Sequence, residues 1–426
     1  MSNVSHSNLT SGFIDLATFD ELEKYLYGGD SATTYFVRRT RKSTWFTQVP
    51  VVLSKSGIAN FDNEFHVNIS RAGDYLLQTW LRVQLPPVVA QNVDASAAKV
   101  RWTTNLMHNL VEWVDVRFND LQAQRIDSYF LDFWTAFTVP EGKRAGYDRM
   151  IGNVEGVGKT AKSETNRIVL NLPLPFFYTR DTGIALPTAA LPYNEMTINF
   201  KFRSVKELLV LFNNQDAVIG TPTFVSEPRL EKAEVWANYA IVSNDERKRM
   251  ACAPRDMLIE QTKTANIVPF VQGDGQIFDL HFSHAVKALF FGVRNAKVAS
   301  DWSNYTTGPT NLAGVGDGVD PIISTSLQYE GTGRLGNMGS DYFSQIQPYY
   351  HAERIPETTG YHMYSYALNV CNIDPTGSTN YGKLTNVRIS CDSIGDLGTG
   401  KFNFVCCNVY NNIIRVSGGA LGFPVL

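Results

Sequence analysis

The chain has 426 residues, of which 44% are hydrophobic, and its formal net charge at pH 7 is −3. This length exceeds what one hydrophobic core usually organises, so two domains of about 200 residues each are expected. A charge this small argues against wholesale binding of nucleic acid, which usually needs a basic domain.

Charged residues make up only 19% of the chain, below the roughly 25% of an average soluble protein. A surface poor in charge suggests extensive contact with other protein. The amino terminus lacks the basic and apolar segments of a secretory signal, and no apolar run approaches the ~18 residues of a membrane span. Five cysteines, an odd number, are predicted to be buried free thiols in a reducing compartment.

A short amphipathic helix is predicted in the first thirty residues. Thr18 would cap it, with Glu21 completing a capping box, and Gly28–Gly29 would end it. So short a helix is unstable alone, so its apolar face must lie against its own subunit, a neighbour or an internal layer. This predicted docking face consists of Phe19, Leu22, Tyr25 and Leu26.

The densest basic cluster follows the helix and consists of Arg38, Arg39, Arg41 and Lys42. One interpretation is the exposed end of a strand. The second is a contact between subunits, because arginine side chains suit carboxylates across a hydrated interface. Binding of the genome or of anionic lipid is a third.

The pattern then becomes β. Residues 75–85 and 114–118 alternate in polarity, and an aromatic insert at 122–152 is interpreted as a long loop with helical turns. The β pattern lapses at 204–227, where the domain junction is predicted. It resumes at 233–241, and further strands are predicted at 277–294, 363–368, 384–389 and 401–416, with a glycine-rich surface loop at 308–320.

An aromatic strand, a Pro/Gly turn, an asparagine and an alternating strand occur in this order twice, at 175–200 and at 364–390. A β unit built twice predicts a tandem of similar domains. Strands joined by long loops, without alternation of strand and helix, indicate antiparallel sandwiches.

No motif predicts catalysis. The loop 152–160 has asparagine where a phosphate-binding loop needs its first glycine, and no G-x-S-x-G nucleophile motif occurs. His281 and His284, three apart in a predicted strand, would point to opposite faces, with His284 in the core. Asn304 begins an Asn-Tyr-Thr sequon in a predicted loop and is the candidate glycosylation site.

Several longer strings resemble the major capsid proteins of large icosahedral DNA viruses, and most closely those of iridoviruses. They occur in the expected order over nearly the whole chain: LTSGFIDLAT at 9–18, TTYFV at 33–37, SRAGDY at 70–75, NLMHN at 105–109, LPYNE at 191–195, FSHA at 282–285, GSTNYG at 377–382 and GGALGFP at 418–424. The loops at 301–321 and 390–401 differ in length from the family pattern.

The resemblance implies an all-β fold of two tandem eight-stranded antiparallel jelly rolls, with short helices in loops and an N-terminal arm. The expected divisions are an arm at 1–30, a first jelly roll at 31–207, a linker at 208–227 and a second jelly roll at 228–426.

The resemblance also implies a homotrimer that tiles an icosahedral shell in the virion, assembled in the host cytoplasm around an internal membrane. The implied partners are neighbouring capsomers, minor capsid proteins, penton proteins and, through the arm, the membrane. Neither a cofactor nor a metal, nor any direct sequence-specific contact with nucleic acid, is implied. The alternative is a glycan-binding, lectin-like attachment protein, with Trp134 of the aromatic insert as a binding platform.

Overall fold

The structure is a computed structural model that describes residues 9–220, 224–398 and 400–424. It divides after Trp45 into an amino-terminal unit and a larger body that starts at Phe46. No helix among the described residues is long and apolar enough to cross a membrane.

The amino-terminal unit contains helices Leu9–Ala17 and Glu21–Tyr27, and none of its described residues is buried. The predicted Thr18 cap is wrong. Asp20 caps the second helix, accepting a hydrogen bond from Glu21 N at 2.8 Å, and its own N–H donates to Glu23. Thr18 instead donates to the carbonyl of Asp15, because it closes a preceding helix that the sequence interpretation missed.

Sixteen strands form the framework of the body, and we number them in chain order. The first eight are β1 Phe46–Val52, β2 Glu64–Asn68, β3 Tyr75–Leu85, β4 Val111–Phe118, β5 Leu121–Asp127, β6 Ile168–Pro173, β7 Met196–Phe202 and β8 Lys232–Val242. They make two antiparallel sheets, with strand orders β1-β8-β3-β6 and β2-β7-β4-β5, and the short strand Ser54–Ser56 extends the second sheet beside β2.

The second eight strands are β9 Arg255–Thr264, β10 Gln276–Asp279, β11 Ala285–Asn295, β12 Ile322–Tyr329, β13 Thr332–Gly339, β14 His362–Ser365, β15 Val387–Ser393 and β16 Phe402–Ser417. Their sheets have strand orders β9-β16-β11-β14 and β10-β15-β12-β13. Adding eight to each strand number of the first half reproduces these orders. The two halves therefore share one topology, and the predicted pair of eight-stranded jelly rolls is confirmed.

Shorter elements connect these strands. The α-helices are Ala90–Val93, Leu106–Leu110, Ser128–Thr138, Glu141–Ile151, Asn244–Cys252 and Gln347–His351, the last preceded by a π-helical turn at Tyr342–Ile346. Single 3₁₀ turns lie at Phe177–Thr179, Thr182–Ile184, Thr188–Ala190, Val205–Glu207 and Tyr381–Lys383. The remaining short strands are Val88–Val89, Lys99–Trp102, Glu164–Thr165, Leu209–Phe212, Val268–Phe270, Thr310–Asn311, Gly314–Val315, Thr379–Asn380 and Ala420–Gly422.

Strand pairing favours a later division between the halves than the predicted one at 208–227. β8 begins at Lys232, yet it pairs along its length with β3 and with β1 in the first half. The sequence interpretation places β8 in the second half because the alternating β pattern resumes there. Alternation predicts a strand, but the strand's partner depends on where its buried face packs. We propose that the boundary follows Val242.

The predicted strand at 277–294 is two strands in different sheets. β10 ends at Asp279 and β11 begins at Ala285. Between them His284 adopts a left-handed backbone, with φ of 65°, and stacks its half-buried ring on Tyr410 at 5.2 Å. It is therefore not the core histidine that the alternating pattern predicted.

Candidate assembly surfaces and the seam between the two halves

The helix Ser128–Thr138 joins the two halves, and we call it the seam helix. It follows β5 directly and is capped by Asp127, which accepts a hydrogen bond from Phe130 N at 2.8 Å. Residues 128–137 are all buried. The sequence interpretation made this segment part of a long loop with helical turns. Aromatic residues on every side of one helix were the available signal, since such a helix must be covered all round.

Aromatic contacts carry the packing of the seam helix on the second half. Trp134 and Phe137 lie on Phe290 of β11, with ring centroids 6.0 and 5.5 Å apart. Phe133 contacts Tyr305 at 5.0 Å and Tyr361 at 5.6 Å. The helix of one half therefore covers the outer face of the other half's sheet, and β11 is buried on both faces.

A buried polar network lies beneath these rings. Asp132 is 2.6 Å from His108 Nδ1, accepts a hydrogen bond from Ser303 at 2.6 Å and another from Tyr305 at 3.3 Å. The second ring nitrogen of His108 lies 2.7 Å from the Tyr147 hydroxyl. Burial raises the pKa of Tyr147 and of Tyr305. One carboxylate of the first half thus anchors a loop of the second.

Two buried ion-pair groups cross the same boundary. Arg101 of the first half pairs with Asp301 of the second at 2.9 Å, and neither side chain is more than 1% exposed. Arg180 of the first half pairs with Glu260 of the second at 2.6 Å, and Lys287 contacts the same carboxylate. Burial lowers the pKa of Lys287, and the charge of Glu260 opposes that shift.

Trp302 forms a further joint between the halves. Its ring is flanked by the guanidinium groups of Arg203 and Arg294, 3.7 and 3.8 Å from the ring centroid. Its indole N–H donates to the Glu207 carbonyl at 2.8 Å. Beside this joint the edge strands β5 and β9 meet, where Thr262 donates to the carbonyl of Arg125 at 2.8 Å.

Charged, aromatic and backbone contacts together make the seam a continuous interface with the character of a domain core. Among the described residues, no group of three or more His, Cys, Asp or Glu side chains could hold a metal ion. The seam positions the sheets of the two halves relative to one another.

The eight predicted contact residues are exposed. The basic cluster of Arg38, Arg39, Arg41 and Lys42 lies in the amino-terminal unit after its helices. The side chains of Phe19, Leu22, Tyr25 and Leu26 are 50, 64, 87 and 58% exposed. Their predicted roles in contacts remain predictions.

Asn304, the predicted glycosylation site, is buried. Its side chain is 2% exposed, its amide donates to the Gly308 carbonyl at 2.9 Å, and its oxygen accepts from Thr306 N at 3.0 Å. A glycan on this nitrogen would require the loop to open. The sequon pattern could not show this, because it reports sequence and not burial.

The predicted glycan platform is also wrong. Trp134 is 5% exposed and lies under the guanidinium group of Arg180, 4.2 Å from its ring centroid. The prediction of free thiols agrees with the structure, in which all five cysteines are unpaired. Burial was predicted for all of them, but Cys252 is exposed and Cys371 is only partly buried.

Comparisons with known proteins agree with this geometry. Residues 34–242 match a family model described as the major capsid protein N-terminus. Residues 246–422 match one described as the large eukaryotic DNA virus major capsid protein. These spans meet just after β8, at the boundary that we propose from the strand pairing.

Full-length relatives are major capsid proteins of iridoviruses. The protein of Costelytra zealandica iridescent virus is 53% identical over 100% of both chains. That of Tipula iridescent virus is 55% identical over 98% of both chains. The chain belongs to the iridovirus major capsid protein family. The major capsid protein of Lymphocystis disease virus 1 is 46% identical to this capsid protein over 100% of both chains.

Solved structures show the same fold at low sequence identity. The PBCV-1 virus capsid has a TM-score of 0.76 at 20% identity, covering 92% of this chain and 100% of that chain. The Faustovirus major capsid protein has a TM-score of 0.73 at 12% identity, covering 96% and 98%. The capsid protein is therefore a double jelly roll of the virion capsid, which assembles with other capsid subunits.

Proposed function

We propose that the capsid protein forms trimers that act as pseudo-hexagonal tiles of an icosahedral shell, without catalytic activity. The observation that supports this proposal is the repeated topology. Both halves have the same order of eight strands, and a buried seam fixes one half to the other. Three such chains around a three-fold axis present six similar units, which suits a nearly hexagonal lattice.

The amino-terminal unit suggests how the shell meets its surroundings. Its apolar side chains are exposed, so we assign Phe19, Leu22, Tyr25 and Leu26 to docking on an inner layer, which includes the internal membrane around the DNA genome. We assign Arg38, Arg39, Arg41 and Lys42 to contacts between subunits. Neighbouring capsomers, minor capsid proteins and penton proteins are the expected partners, and assembly is expected in the host cytoplasm.

Light scattering and electron microscopy of the purified protein test the proposal. A particle of three times the chain mass that packs into hexagonal sheets is the expected result. A protein that stays monomeric at assembly concentrations, in buffers that preserve its fold, would overturn the trimer.

A further inference from the structure

β1 and β13 are exposed edge strands of the body. β1 is exposed at six of its seven positions and β13 at six of its eight. Their topological counterparts are β9 and β5, which meet each other at the seam. An uncovered edge is a template for pairing with another chain. β1 and β13 are thus the equivalents of the two edges that the chain closes internally.

The helical segment after β13 repeats the position of the seam helix. We call it the counterpart helix, comprising Tyr342–Ile346 and Gln347–His351. The seam helix starts directly after β5 and is buried. The counterpart helix follows β13 but leaves Ile346, Tyr349 and Tyr350 exposed at 44, 70 and 70%. Adjacent exposed tyrosines are typical of protein interfaces.

The receiving face also occurs twice. Phe290, on which the seam helix lies, is the sixth residue of β11 and pairs with Cys407 and Met363, all fully buried. The sixth residue of β3 is Trp80.

Trp80 pairs with Trp236 of β8 and with Pro173 of β6. The two tryptophan rings stack at 6.1 Å but are only half-buried, and a groove of about 890 Å³ adjoins Trp80. The first half therefore has, around Trp80, a face equivalent to the one around Phe290 of the second half, and this face is only partly covered.

From these three correspondences we infer that the counterpart helix of one copy packs over Trp80 and Trp236 of the next copy. β13 of the first copy then lies beside β1 of the second. We expect the partner to be a second copy, because the chain already makes an equivalent contact between its own halves. The counterpart helix and the Trp80 face are the same two kinds of surface, and neither is paired within the part of the chain that the structure describes. Such a contact is head-to-tail, and it closes a ring if the rotation allows. The inference rests on the proposed trimer and names its interface.

Chemical crosslinking tests the contact directly. In a background of Cys252→Ser and Cys371→Ser, Tyr350→Cys is combined with Gln78→Cys, an exposed residue of β3 that lines the groove. A short bis-maleimide is then added to the native protein. We expect covalent dimers and trimers, with the ladder ending at three chains, and only monomers from either single cysteine variant.

Light scattering separates failure of the interface from failure of the trimer. Uncrosslinked particles of three chains would overturn the inference and leave the proposed function intact. A monomer under all conditions would overturn both.

A second variant tests whether Tyr349 and Tyr350 stabilise the trimer. Tyr349→Arg with Tyr350→Arg is expected to give folded monomers, whereas Tyr193→Arg, at a tyrosine 77% exposed elsewhere in the body, is expected to keep the trimer. Circular dichroism and melting confirm that both variants fold. A trimer that survives the double substitution contradicts the inference.

Discussion

Arg101 shows how a single residue ties the halves together. Its charge has no exposed surface and is balanced by Asp301, while its other N–H groups donate to backbone carbonyls, including that of Trp102 at 3.2 Å. We predict that Arg101→Met lowers the free energy of unfolding by about 3–5 kcal/mol, because Asp301 then stays buried without a partner. Urea denaturation of the purified protein measures this.

The matched control for that prediction is Arg388→Met. Arg388 pairs with Asp279 at 2.8 Å, but the two side chains are 46 and 54% exposed. Exposed pairs contribute less than about 1 kcal/mol. Equal losses of unfolding free energy in the two variants would show that burial does not account for the contribution of the Arg101 pair to stability.

Asp320 predicts a dependence of stability on pH. Burial alone would raise the pKa of this carboxyl, but His362 at 2.7 Å, with hydrogen bonds from Ser340 and from Ile322 N, holds it below its usual value. A carboxyl whose pKa is lower in the folded state stabilises the fold at pH values above its unfolded-state pKa of about 3.9. This contribution to stability is lost as the pH falls through the folded-state pKa.

We therefore expect the free energy of unfolding to fall between roughly pH 5 and pH 2, and to fall less steeply in Asp320→Asn. Urea titrations at several pH values measure both slopes. Parallel slopes would exclude Asp320 as a source of the acid sensitivity.

The cysteines predict an order of chemical reactivity. Cys252 is exposed, whereas burial raises the pKa of Cys391 to about 12 and also raises the pKa of Cys406 and Cys407. Since the thiolate is the reactive form, maleimide should label Cys252 first in the native protein and the three buried thiols only after unfolding. Mass spectrometry identifies the sites, and Cys252→Ser is the control. Fast native labelling of Cys406 would contradict the burial.

At the scale of elements, the seam helix is the part of the fold that belongs to both halves. Phe137 is fully buried against Phe290. We predict that Phe137→Ala costs about 3–5 kcal/mol, because a large side chain is removed from a packed site. Hydrogen exchange should then rise in β11 of the other half as well as in the helix. Val271→Ala, at a residue 61% exposed, should leave both unchanged.

The sequence predicted the type of several elements, but not which other elements they pair with or pack on. The alternation in 75–85 predicted β3 correctly, and the same kind of pattern located β8. We propose that β8 belongs to the first half rather than the second, since its hydrogen bonding to β3 is a long-range choice that local alternation does not encode. The sequence interpretation placed the seam helix in a long loop with helical turns, because an aromatic segment alone does not indicate what covers it.

At the scale of the whole molecule, the amino-terminal unit is expected to be separable from the stability of the body, since none of its described residues is buried. Deletion of residues 1–30 should leave the melting temperature of the protein unchanged. It should abolish flotation with anionic liposomes if the arm docks on the membrane. Serine at positions 19, 22, 25 and 26 is the matched variant, expected to float as poorly as the deletion. A lower melting temperature for the deletion would contradict separability.

The repeated β unit indicated a tandem of β domains, because alternation along a strand is a local property. The resemblance of the ordered strings to a family implied that these domains are two jelly rolls of a capsid protein. The tertiary structure alone showed which strands β8 pairs with, that Asn304 and Trp134 are covered, and which aromatic surfaces remain open. Those features depend on contacts between residues far apart in the chain. The sequence around each of these residues does not indicate which partner buries it.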